Sequence, residues 1–90
     1  MCTINATASH EDAMQLAAKG AIKAIVGGRR AIVFAQAWHP VTPDSEMPPY
    51  TITAREIRTD VEDYEANGTP EAEREVQRLV DRLNWDSWPA

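Results

Sequence analysis

One cysteine, Cys2, is all that this 90-residue chain contains. That excludes an internal disulfide and any zinc site built on a cysteine cluster. No apolar run approaches the ~20 residues that a membrane-crossing helix requires. Residues 1–20 lack a basic start followed by an apolar core, so no secretory signal is expected and a cytoplasmic protein is. A phosphate-cradling loop is missing too. Gly27-Gly28-Arg29-Arg30 lacks the glycine spacing and the Lys-Ser or Lys-Thr that such a loop needs. Bases are scarce after residue 38, where five stand against twelve acids in a chain of net charge −5. A surface of that sign repels phosphate backbones, so direct nucleic-acid binding is not expected.

Catalytic constellations are equally thin. A general base needs a partner within hydrogen-bond reach and a nucleophile to serve. His10, His39 and Cys2 show no spacing that would bring them together. The expectation is a non-enzyme without cofactor or metal. The enzymatic alternative would place a base at His39, beside a long loop.

What the chain does have is an ordinary globular composition, 43% hydrophobic and 26% charged, in a length suited to one small domain spanning 1–90. Residues 1–8 and 86–90 read as loose ends, the first of them strand-like. Ser9 is an N-cap with Asp12 three positions on. Met14, Ala17, Ala18, Ala21, Ile22 and Ile25 follow at helical spacing, and Gly27-Gly28 stops the run. Residues 30–38 alternate as a strand, although their alanines keep an all-α alternative open. Pro40, Pro43, Pro48 and Pro49 make 39–49 a loop, and Tyr50–Ile52 reads as a second strand closing a hairpin.

Thr53-Ala-Arg-Glu56 has the form of a capping box, so a helix is expected from there to Asn67-Gly68. Thr69 caps the next helix, with Pro70 at its first position and Val76, Leu79, Val80 and Leu83 as its apolar stripe. The fold class expected is α+β: an N-terminal helix, a short β-hairpin with a proline-rich loop, and a C-terminal αα-hairpin. The expected core is Met14, Ala18, Ile22, Ile25, Ile32, Phe34, Ile57, Val61, Val76, Leu79, Val80 and Leu83.

One local rule is broken in this reading. Between Asp60 and Glu75 there are seven acids and one base, Arg74. Acids after Gly68 suit the positive start of a new helix, whereas Glu62, Asp63 and Glu65 would crowd the negative end of the preceding one. Asp63 to Arg74 also begins like a calcium loop, with Asp63, Glu65, Asn67 and Gly68 at positions one, three, five and six. Position twelve is Arg74 instead of the chelating glutamate, which breaks the pattern.

The function these features suggest is protein binding, as an inhibitor or adaptor that meets a basic protein surface. Glu62, Asp63 and Glu65, with Asp44 and Glu46 from the loop and Trp88 from the tail, would form the contact. Small acidic proteins of phages and other mobile elements, which block host machinery, are similar in size and charge. A degenerate EF-hand-like calcium or small-ligand module is the alternative. A homodimer is compatible with the chain, and no membrane partner is expected.

Overall fold

The computed structural model describes residues 2–35, 50–65 and 68–89, with only the backbone for 63–65. In chain order the elements are β1 (Thr3–Ala8), α1 (His10–Lys19), β2 (Ile22–Val26), β3 (Arg29–Ala35), β4 (Tyr50–Glu56), α2 (Asp60–Glu65) and α3 (Pro70–Arg82). The strands form one antiparallel sheet in the order β1-β4-β3-β2. An α+β protein is therefore what the chain forms. The proline-rich segment expected at 39–49 lies outside the described residues.

Helix α1 starts where its cap predicts. The Asp12 amide donates to Ser9 Oγ at 3.1 Å. It ends earlier than its apolar spacing suggests. Gly20, at φ 82°, turns the chain out of the helix while its amide donates to the Leu16 carbonyl at 3.0 Å. The residues beyond belong to β2, where Ile22, Ala24 and Val26 are buried on alternate positions. A period of two had been hidden inside an apparent period of 3.6. Gly27 and Gly28, expected to stop a helix, instead form the two-residue turn from β2 to β3. Both have positive φ, 56° and 80°, as a type I′ hairpin turn requires.

The largest correction concerns residues 53–59. Thr53 to Glu56 is the end of β4, paired on one side with β1 and on the other with β3. The Thr53 hydroxyl donates across the strands to Asn5 Oδ1 at 2.8 Å and caps no helix. Two neighbouring strands offer this segment a full backbone ladder, which outweighs a local capping signal. The expected long helix shrinks to the six residues of α2. Helix α3 packs on β2 and touches α1, so the sheet, and not an αα-hairpin, is what receives its apolar stripe.

Leu16 of α1 and Val76, Leu79 and Val80 of α3 meet Ile4, Ile22, Val26, Val33 and Ile52 in the main core. Ile32 and Ile57 are buried as expected. Phe34 and Leu83 are half-buried, and Ala18 is exposed. Met14, Ile25 and Val61, all expected inside, are 51%, 49% and 65% exposed. Each had been assigned to a helix face or length that the chain does not form.

Both edges of the sheet are covered. Along β1, Trp85 forms a bridge with Ala6, the Asp86 amide donates to the Asn5 carbonyl at 3.1 Å, and the Asn5 amide donates to Asp86 Oδ2 at 3.4 Å. Along β2, the side-chain amide of Gln77 accepts from the Ile25 amide at 2.8 Å and donates to the Ile25 carbonyl at 2.9 Å. Free strand edges invite pairing with another chain, and these two are occupied from within.

Candidate functional site

The acidic block is placed by two helix starts. Helix α2 begins at Asp60, so Asp60 and Glu62 stand in a first turn, where the dipole favours them. The Glu62 amide donates to Thr59 Oγ1 at 3.1 Å, and Glu62 Oε2 accepts from the Arg58 amide at 2.7 Å. This resembles the reciprocal capping box, with the glutamate reaching the amide one residue before the cap, and it is shifted six residues from Thr53. Glu62 is thus no anomaly: its apparent misplacement came from a helix drawn too long. Asp63 and Glu65 do lie in the second half of α2, whose last turn holds no base.

In α3, the Ala72 amide donates to Thr69 Oγ1 at 3.1 Å, and Glu71 and Glu73 occupy the first turn. Glu75 pairs with Lys19 of α1 at 2.6 Å. The Lys19 hydrogen bond, and then its charge, hold the Glu75 carboxyl below the usual carboxylate range. Arg82 pairs with Asp12 at 3.3 Å, so two ion pairs join the helices. Each pair has one well-exposed partner, Glu75 or Arg82, so each is individually weak.

The other expected contact residues lie apart from these. Trp88 sits at the β2–β3 turn, half-buried. Its indole N–H donates to the Val26 carbonyl at 2.7 Å, and the Arg29 guanidinium lies 5.6 Å from the ring centroid. Arg29 also reaches Glu56 at 3.4 Å. Trp88 therefore closes the end of the core, as a tail residue that folds back. Asp44 and Glu46 lie outside the described residues, as does His39.

Cys2 and His10 flank the two ends of β1, roughly 20 Å of strand. The His10 ring lies 5.1 Å from that of Tyr50. Among the described residues, no group of three or more His, Cys, Asp or Glu is placed to hold a metal ion. Positions eight to twelve of the calcium-like pattern, Pro70 to Arg74, are the opening of α3.

A second surface went unnoticed in the sequence. Helices α1 and α3 cover one face of the sheet. The strand register turns Lys23, Arg30 and Arg55 to the opposite face, around Ile25, Ile32 and Phe34. No acid shares that face among the strand residues described. The signal was present as the polar half of each alternation, in Lys23–Ile25, Arg30–Phe34 and Thr51–Arg55. It could be read only once β2 and the full length of β4 were known to be strands.

No helix of the described residues is long and apolar enough to cross a membrane. No protein-family model matches this chain, and no curated protein and no solved structure matches it either.

Proposed function

We propose that this protein is a small non-enzymatic binding module of the cytoplasm, an inhibitor or adaptor that meets a basic protein through its acidic surface. The observation that carries this reading is the uneven distribution of charge. The strands turn three bases to the face opposite α1 and α3, while no acid shares that face among the described strand residues and many acids of a chain of net charge −5 lie on α2 and the first turn of α3. Complementary charge speeds encounter and rejects wrong partners more than it adds affinity. The contact is best assigned to Asp60, Asp63, Glu65 and Glu71, because Glu62 serves the cap of α2. An origin in a phage or another mobile element fits a role of this kind.

The double substitution Asp63→Lys, Glu65→Lys tests it. Bases near the C-terminal end of α2 suit the helix dipole, so folding should be retained. The binding protein would be captured from extract of the source cell, and its association rate measured at two ionic strengths. A loss of about tenfold in rate, largest at low salt, is expected. An unchanged rate, or a captured protein with no basic surface, would remove the acidic surface from the account.

A further inference from the structure

The last residues of the chain are held more specifically than a loose end requires. Helix α3 ends at Arg82, and two residues, Leu83 and Asn84, lead into a strap that runs from the edge of β1 to the β2–β3 turn. Trp85 forms a bridge with Ala6, while its indole N–H donates to the Val80 carbonyl at 3.0 Å. The Asp86 amide donates to the Asn5 carbonyl at 3.1 Å, and its carboxylate accepts from the Asn5 amide at 3.4 Å.

Trp88 ends the strap in a seat built for an indole. The Val26 carbonyl accepts from the ring N–H at 2.7 Å. Gly27 leaves the space that the ring fills, since a Cβ there would stand 3.0 Å from Nε1. The Arg29 guanidinium lies 5.6 Å from the ring centroid, and Glu56 accepts from that guanidinium at 3.4 Å. A strand edge and an indole seat together select one extended segment, and residues 85–88 of this chain are that segment.

We propose that the strap is exchangeable, so that two copies of this chain form a dimer in which each lays residues 85–88 on the β1 edge and in the indole seat of the other. Every contact of the closed monomer is then made again between chains, and Leu83 and Asn84 alone change conformation. No group has to be free in the monomer beforehand, which makes such exchange a low-cost route to a dimer. A terminal segment can also detach without unfolding the elements before it. Leu83 already has an extended backbone, at φ −87° and ψ 152°, so the chain leaves α3 in a conformation that can continue outward. Short hinges favour exchange over closure. Against it stands the effective concentration of a tail on so short a hinge, on the order of millimolar. Exchange therefore belongs to concentrated protein and to refolding, where many tails compete for each seat.

The test uses two variants of the full chain. Trp88→Ala keeps the seat and lacks the indole, whereas Gly27→Ala keeps the indole and narrows the seat. Each is unfolded and refolded at about millimolar concentration, alone and as an equal mixture, and the products are separated by size exclusion. The mixture should contain several-fold more dimer than either variant alone, because only an exchanged pair unites an intact indole with an intact seat. That dimer should hold both chains in equal amount by mass spectrometry, and its thermal midpoint should exceed those of both variants. If Gly27→Ala fails to fold alone, its recovery in the mixture is the readout. Deleting Asn84 from the otherwise unaltered chain should lower the concentration of half-dimerisation by about tenfold or more. Inserting Gly-Ser-Gly at that point should raise it, and this second variant serves where the deletion does not fold. A mixture that behaves as the mean of its parts would overturn the proposal and leave the strap a fixed cover. So would a dimer that forms equally well in Trp88→Ala alone, or one indifferent to hinge length, since either would place the contact on another surface.

Discussion

The two faces of the sheet are made from the same strands and yet are filled differently. On the face under α1 and α3, Ile22, Ala24 and Val26 of β2 are all buried. On the other, Ile25 of the same strand is half in water between two bases. Apolar residues on the covered face have helix side chains above them, and their burial stabilises the fold. On the opposite face burial is uneven, from Ile32 at 9% exposed to Ile25 at 49%, so Ile25 contributes little to stability.

Leu16→Ala against Ile25→Thr tests that contrast most strongly. Leu16 is fully buried over the sheet, and its truncation should cost about 2–5 kcal/mol in chemical denaturation. Ile25→Thr keeps strand propensity and removes exposed apolar surface, so stability should change by less than about 0.5 kcal/mol. Similar losses at the two sites would show that both faces are cores.

The turn that joins β2 to β3 sharpens the comparison at its end. A Cβ at Gly27 would stand 3.0 Å from Trp88 Nε1 on a residue already at φ 56°. A Cβ at Gly28 would meet nothing within 4 Å. Gly28→Ala should cost about 1 kcal/mol from its positive φ alone, and Gly27→Ala about 2–3 kcal/mol. In a Trp88→Ala background the difference between them should shrink. If it does not, Trp88 is not held against this turn.

Gln77→Ala breaks the cover over the outer edge of β2. The lost pair of hydrogen bonds is exposed, so about 1 kcal/mol is expected. The bared strand should also add concentration-dependent association, visible by light scattering. A variant that stays monomeric at high concentration would show that the edge is protected by other means.

The smallest effect belongs to the ion pair between the helices. The Glu75 carboxyl is held below its ordinary value, so its contribution is present above the unfolded-state pKa. That contribution fades as pH falls through the folded-state value. Glu75→Gln should therefore lower stability slightly at neutral pH and hardly at all in strong acid. A deficit that grows on acidification would contradict this sign.

Legibility in the sequence followed the locality of each signal. Ser9 and Thr69 cap the helices they were expected to cap, since a hydroxyl and an amide three residues on need no third element. The strand at 29–35 and the stripe of α3 were readable for the same reason. Two rival signals were not. Thr53–Glu56 and Thr59–Glu62 both have the form of a capping box, and only the second starts a helix. Nothing within either tetrapeptide separates them. The pairing of residues 53–56 with strands far away in sequence does.

The acidic site followed the same pattern. Its acids were visible, but the sense in which they were misplaced depended on where α2 began. The basic face was invisible until the register of four strands was known. By itself the sequence determined the class of the fold, the caps of its two longer helices and the excess of acid, because each rests on composition or on contacts within one turn. Which glycine ends a helix and which turns a hairpin, where Thr53 belongs, and which side chains share a face were decided by the sheet. Pairing between distant strands supplies backbone hydrogen bonds and buried area that local signals of about 1 kcal/mol cannot outweigh.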